Sequence, residues 1–220
     1  MAKQKIIVPE GFKVGGNGFY RFTKRFFDIL LSGLFLLLFS WLIILLLLIK
    51  FFEDFHRPWY VSIRVGKDLV PFRFHKIRSM HKNADKLIRK MIKSGMNEAD
   101  GPVFKMEDDP RITKFGKFLR KTSLDELLQF WDVFRGKMSL VGPRPPLPQE
   151  VKHYTDRQKM RLLVKGGLVC YWQITPHRHQ MRFDDWVELD IKYIQERSIR
   201  TDLKIIFKAI WFVLTDRTGE

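Results

Sequence analysis

Two adjacent acids, Asp125 and Glu126, make the strongest case for chemistry in this sequence. They follow Ser123 and open an apolar run at helical spacing (Leu124, Leu127, Leu128, Trp131, Phe134), which predicts both carboxylates in the first turn of a helix. Ser123-x-x-Glu126 is also a capping box, and as such would look the same in a protein without chemistry. The surroundings separate the two readings: Arg111, Lys114, Lys117, Arg120 and Lys121 precede the pair, and Arg135, Lys137 and Arg144 follow it. Such a cluster suits a polyanionic ligand. A helix N-terminus keeps a carboxylate ionised and attracts phosphate, and an ionised aspartate beside a bound phosphate is a candidate nucleophile. Downstream, Gly142, Pro143 and Pro145 surround Arg144 in a stiff turn, which reads either as a rigid loop or as a device holding one guanidinium for bidentate contact with a phosphoryl group.

The elements that must position these residues fall on either side of residue 57. Residues 1–57 read as a basic leader and a membrane-inserted helix. Ile29 to Ile49 is a run of 21 residues without a charge, and at about 1.5 Å rise per residue a helix of that length matches the roughly 30 Å hydrocarbon core of a bilayer. The preceding GFYRFTKRFFD mixes aromatic and basic residues, a pattern suited to the lipid headgroup boundary. Basic residues flank both ends, Lys24 and Arg25 before, Lys50, Arg57, Arg64 and Lys67 after, which favours cytoplasm on both sides. A re-entrant helix that turns within one leaflet, bent at Ser40, meets that demand.

Residues 58–220 read as a small α+β, mostly helical, cytoplasmic domain. WYVSIRVGKDLVPFRFHKIRS alternates around Gly66-Lys67-Asp68 and predicts a β-hairpin whose far end delivers Lys76 and Arg78. Helices are expected over residues 84–94, 113–121, 148–163, 183–197 and 203–214, the last as an interfacial or core helix, with a loop over 95–110 and an extended run over 166–174. Glu107, Asp108 and Asp109 form an acidic triplet, and His177-x-His179 a candidate metal pair, although loop acids and loop histidines are more often simply solvated.

The chain has 220 residues and a formal net charge of +16, which calls for an anionic partner: membrane lipid, nucleotide or nucleic acid. Cys170 is the single cysteine, so no intramolecular disulfide forms and a reducing compartment is compatible. No Walker loop, Rossmann glycine fingerprint, CxxC or HExxH occurs, which argues against kinases, dinucleotide enzymes and zinc hydrolases.

The segments KIRSM (76–80), DPRIT (109–113), LRKTSLDELLQFWDVFRGKMSLVGPRP (119–145) and ELDIKYIQERS (188–198) resemble the bacterial sugar transferases, the monotopic polyprenyl-phosphate phosphoglycosyl transferases that begin polysaccharide assembly. The resemblance implies transfer of a sugar-1-phosphate from a UDP-sugar to undecaprenyl phosphate at the bacterial inner (cytoplasmic) membrane, with the catalytic domain on the cytoplasmic face. It implies Asp125 as covalent nucleophile and Glu126 as the Mg²⁺ ligand. Lys76, Arg78, Arg120, Arg144 and Arg178 would bind phosphate, with Asp190, Pro143 and Pro145 in support. The family breaks its membrane helix at a Ser-Pro pair; here the pair is Ser40-Trp41, and the proline is missing. The family's Gly-Arg after the 166–174 run is also absent, which leaves Arg178 as the nearest equivalent. Anionic membrane lipid and a second copy of the chain are further expected partners, nucleic acid is not. The rival from another class is a non-catalytic membrane adaptor that binds anionic lipid or nucleic acid through its basic surface.

Overall fold

The computed structural model describes residues 5–82, 84, 87, 91, 106, 109–175 and 181–215. Most of the expected helix at 84–94, most of the 95–110 loop with Glu107 and Asp108, and the segment holding His177, Arg178 and His179 lie outside the described residues.

The chain opens with α1 (Gly18–Asp54), 37 residues long, started by Asn17, whose side chain accepts from the Tyr20 amide, and ended by Phe55 in a left-handed conformation. Leu34, Leu37, Leu38, Trp41, Ile44 and Leu45 are all exposed along it. An apolar surface of that extent belongs in lipid rather than water. Among the described residues α1 is the one helix long and apolar enough to cross a membrane.

The expected break at Ser40 is not seen: the helix continues through it, and the Ser40 hydroxyl donates to the Leu37 carbonyl at 3.1 Å. Trp41 keeps the backbone N–H that a proline would lack, so the ladder is not forced open.

The predicted hairpin forms. β1 (Trp59–Val65) pairs antiparallel with β2 (Pro71–Ile77), with Tyr60 opposite Lys76 and Arg64 opposite Phe72. The turn carries Asp68 and Leu69 at positive φ. Next comes α2 (Lys114–Lys121), whose N-cap Thr113 accepts from the Gly116 amide.

The single helix predicted from Leu124 to Phe134 is instead a 3₁₀ turn at Leu124–Glu126 followed by the short α3 (Gln129–Phe134). Ser123 sits at φ 55 and caps nothing with its side chain, so the capping box does not form. Its amide bonds to the Arg120 carbonyl at 3.1 Å and its carbonyl accepts the Glu126 amide at 3.2 Å, so Ser123 joins the end of α2 to the 3₁₀ turn through its backbone alone.

β3 (Ser139–Val141) pairs in parallel with β4 (Gly167–Val169). Between them the predicted helix over 148–163 is broken into α4 (Pro148–Val151), α5 (Asp156–Lys159) and a 3₁₀ turn, because Thr155 and Gln158 form their own capping box and restart the helix. The 166–174 run is extended only over β4 and then closes into a 3₁₀ turn. α6 (Phe183–Glu196) and α7 (Ile199–Thr215) complete the chain, both where apolar periodicity places helix. Tyr193, Ile194 and Ile205 of these two helices pack with Val141 and Val164, and Val187 and Ile191 pack with Met160, Leu162 and Phe183.

The same folded body holds both ends of α1. Near the start, Lys24 pairs with Asp202 at 2.8 Å, Arg25 donates to the Val133 and Phe134 carbonyls at 2.8 Å each, and Asp28 accepts from the Leu140 amide at 2.9 Å. Midway, Phe35 stacks on Phe130 with ring centroids 3.7 Å apart. Near the end, Leu46 packs on Ile77 and Leu119, and Asp54 pairs with Arg78.

Candidate active site

Three elements converge on the acidic pair. The 3₁₀ turn presents Asp125 and Glu126, β2 presents Lys76, and α2 presents Arg120. The Lys76 ammonium lies 3.2 Å from Asp125 Oδ2 and 2.6 Å from Glu126 Oε1. Alternation along β2 explains its direction. Phe72 and Phe74 turn inward against Val133 and Met138, and Lys76, next on the same face, reaches the turn that precedes α3.

The two carboxylates sit in different surroundings. Asp125 is 5% exposed, and burial pushes its carboxyl above the ordinary 3.8; the pull of Lys76 opposes this, the charge of Glu126 adds to it, and Arg120 opposes it. Glu126 keeps 27% of its side chain open to solvent. Desolvation raises it too, but Lys76 and Arg144 together overcome that and hold it below its ordinary value. The pair is therefore split, one acid harder and one easier to ionise, with a single ammonium shared between them. The expected helix dipole is not the cause, since the turn is a single 3₁₀ turn; the charges of lysine and arginine take its place.

The 142–145 turn is braced from two sides. The Gly167 amide donates to the Pro143 carbonyl at 2.9 Å, the Arg64 guanidinium to the Pro145 carbonyl at 3.1 Å, and the Val65 amide to the Pro146 carbonyl at 2.9 Å. Pro143 and Pro145 are buried while Arg144 is exposed. Arg144 acts electrostatically on Glu126, Arg64 and Arg120. Burial, then the neighbouring Arg144, bring Arg64 down to about 10. Arg64 is a site residue that the sequence motifs do not single out; its one signal is the alternation that puts Tyr60, Ser62 and Arg64 on the face shared with Lys76.

Arg120 donates from Nε to the Ser79 hydroxyl at 2.9 Å and stays exposed. The other expected phosphate ligand, just past the far end of β2, is engaged elsewhere. Arg78 makes a two-pronged ion pair with Asp54 at 2.7 and 2.5 Å, and its Nε donates to the Arg57 carbonyl at 2.7 Å. It fastens the end of α1 to the hairpin. Asp190 is likewise placed apart from the acidic pair. It is fully buried, paired with Arg161 in the core beside Tyr154 and Phe183, and burial raises its carboxyl to about 6 against the pull of Arg161. Asp109 of the acidic triplet is buried and held by Arg111 at 2.6 Å.

Two further residues, His75 and Asp132, carry no sequence signal, because nothing in their spacing joins them. Asp132 is buried on α3 and contacts both the backbone and the ring of His75.

Among the described residues no three His, Cys, Asp or Glu side chains converge as a metal cage. Two adjacent carboxylates, one partly open to solvent, fit a magnesium ion that takes its other ligands from substrate phosphate and water. Glu126 is the more accessible of the two.

The model of the family described as "Bacterial sugar transferase" matches residues 19–216. The chain is 42% identical over 220 residues to the galactosyl transferase CpsE of Streptococcus agalactiae serotype III, covering 97% of this chain and 48% of that protein. It is 37% identical to the UDP-galactose-lipid carrier transferase of Erwinia amylovora over 88% of this chain and 41% of that protein. To the exopolysaccharide production protein ExoY of Sinorhizobium fredii it is 36% identical over 89% of this chain and 87% of that protein. The chain thus spans about half the length of the first two relatives and most of the third. With the match running from the start of α1 to the end of α7 and enclosing every residue of the acidic site, the chain belongs to the bacterial sugar transferase family.

Proposed function

We propose that this protein transfers a sugar-1-phosphate from a UDP-sugar to undecaprenyl phosphate, in two steps through a covalent sugar phosphate on Asp125. The observation that carries the reading is the Lys76 ammonium shared by two adjacent carboxylates, with Arg120, Arg144 and Arg64 around them. In the first step an Asp125 oxygen attacks the phosphorus bonded to the sugar. The bond from that phosphorus to the bridging oxygen breaks, and UMP leaves with the electron pair. In the second, an oxygen of the lipid phosphate attacks the same phosphorus, the acyl phosphate bond breaks, and the Asp125 carboxylate is restored.

Repulsion among anions is the main obstacle. Lys76 lowers the cost of bringing a third anion to two carboxylates, and Arg144 and Arg120 meet the charge that develops on the phosphoryl oxygens. Glu126, kept ionised, would hold Mg²⁺, which when bound neutralises part of the diphosphate. Names of relatives point to galactose and a lipid carrier, so UDP-galactose is the first donor to test, beside UDP-glucose and the N-acetylated sugars.

The acceptor lies in the bilayer, and α1 supplies the contact. Lys24 and Asp54 are 30 residues apart, about 45 Å of helix, yet both ends are fixed to the same folded body. A domain on one side of a roughly 30 Å core cannot grip both ends of a helix that crosses it. That supports an α1 that does not cross, with both of its ends at the cytoplasmic face of the inner membrane.

The test is release of UMP on adding a UDP-sugar and undecaprenyl phosphate to the membrane-bound protein. Without acceptor, the sugar phosphate is expected to accumulate on Asp125, detectable by mass. Asp125→Asn is expected to lose at least about a thousandfold in turnover. Near-normal turnover of that variant would overturn the covalent scheme, and a wild-type protein that releases no UMP would favour the adaptor.

A further inference from the structure

Asp132 makes two contacts with one neighbour. Its Oδ2 accepts the His75 backbone N–H at 2.9 Å, and its Oδ1 lies 2.7 Å from His75 Nδ1. The residue is 1% exposed. With Asp132 ionised both oxygens accept, so the ring proton of His75 sits on Nδ1. Asp132 is itself fixed, because its carbonyl accepts the Lys137 and Met138 amides at 2.9 and 3.2 Å.

A buried carboxylate is expensive unless it is well bonded, and the apolar contact of Phe72 and Phe74 with Val133 and Met138 already joins β2 to α3. That apolar contact is non-directional. It holds the two elements together without setting how far β2 slides along α3. A two-pronged carboxylate does set it, since a displacement of a few tenths of an ångström lengthens both bonds. The next residue along β2 is Lys76, whose ammonium must reach two carboxylates at once.

We propose that Asp132 and His75 form a clamp that positions the Lys76 ammonium between Asp125 and Glu126; its catalytic consequence rests on the reading of Asp125 as nucleophile. The groups that face Asp125 are Lys76 from β2, Glu126 from its own turn and Arg120 from α2. Of these, Lys76 is the one the clamp controls. Loosening the clamp therefore draws the ammonium away from both carboxylates.

The test uses the full chain in membranes and the variants His75→Phe, Asp132→Asn and His75→Asn. The last places an amide donor where Nδ1 was, and is the rescue. Two readouts are taken on folded protein, judged by a wild-type melting transition. In the first, kcat/KM for UMP release is measured. His75→Phe and Asp132→Asn are expected to lose about a hundredfold, the scale of a 1 Å misplacement; His75→Asn returns toward wild type. In the second, independent of turnover, acetylation of Lys76 by acetic anhydride is mapped by mass and is expected to rise several-fold in the first two variants. Unchanged acetylation and unchanged kcat/KM in either folded variant overturn the clamp while leaving the function intact. Faster acetylation in a protein whose wild type releases no UMP keeps the clamp and sinks the function.

Discussion

Gly167→Ala is the perturbation whose size can be worked most directly from the structure. A Cβ at Gly167 would lie 2.0 Å from the Gly142 nitrogen and 2.6 Å from its carbonyl oxygen. Both are backbone atoms, so no flexible side chain can give way, and a clearance of at least 3.0 Å forces β3 and β4 apart by about 1 Å. The strain falls where the Gly167 amide donates to Pro143 and the Gly142 amide to Val169, which is the brace beneath Arg144. The fold should lose about 1–3 kcal/mol, the usual range for overpacking. Displacing by 1 Å the guanidinium proposed to bind phosphate should lower kcat/KM for UMP release about a hundredfold. The decisive measurement is the double variant with Arg144→Ala. If Gly167 matters through Arg144, adding Gly167→Ala to Arg144→Ala costs only a few-fold more; if the losses multiply, the turn does not serve Arg144 and the reasoning fails. Gly18→Ala is the control, since nothing lies within 4 Å of a Cβ there.

Three other outcomes are expected. Because burial holds the Asp125 carboxyl above 3.8 and the proposed nucleophile must be ionised, turnover should fall as pH falls through that raised value; an acid limb at or below 3.8 would contradict it. The stability terms oppose each other. Asp125 contributes stability below 3.8 that is lost as pH rises through its folded value, and Glu126 contributes stability above 4.5 that is lost as pH falls through its lowered one. Asp190→Ala should strip a buried Arg161 of its counter-charge and destabilise the fold by about 3–5 kcal/mol, read as a fall in Tm, whereas a surface-like change of under about 0.5 kcal/mol would show the pair to be dispensable. Cysteines placed at the exposed Phe22 and Phe55, with the native Cys170 buried, should label from the cytoplasmic side alone in oriented membranes; labelling of one from outside would mean that α1 crosses.

The parts of the fold written in local periodicity are legible in the sequence. The charge-free run marks α1, the alternation around Gly66 marks the hairpin, and the 3.6-residue spacing marks α6 and α7. The illegible parts depend on partners distant in sequence or on one backbone angle. Ser123 stands at the N-cap position, but at φ 55 its side chain makes no capping bond, and no side-chain pattern announces that angle. Arg78 stands just past the end of the strand that carries Lys76 and so reads as a second phosphate ligand; Asp54, 24 residues earlier, claims it at ion-pair distance. Asp190 sits on the predicted helix, yet the preference of its carboxylate for a buried Arg161 places it in the core. The acidic pair and the lysine that joins it are neighbours as the sequence suggests, but the ionisation expected from a helix end comes instead from Lys76 and Arg144 at Glu126, and burial opposes it at Asp125.

The spacing of Lys76 and Arg78 along the hairpin's second arm has a mechanical meaning. Lys76 is the penultimate residue of β2 and Arg78 is the first residue past its end. One grips the acidic pair and the other grips Asp54 at the end of α1. The backbone between them is short, so the distance from Asp125 and Glu126 to the end of α1 is set within a few ångströms. On the proposed function the acceptor cannot leave the bilayer and Asp125 has to sit at the depth of the lipid phosphate, which a rigid link achieves where a flexible tether would let the site float above the headgroups. Arg78, though turned away from substrate, is therefore bound into function through position. Arg78→Ala should raise the KM for the lipid acceptor while leaving the first half-reaction, UMP release coupled to labelling of Asp125, near its normal rate. Equal loss in both half-reactions would mean that the arginine reaches the donor after all.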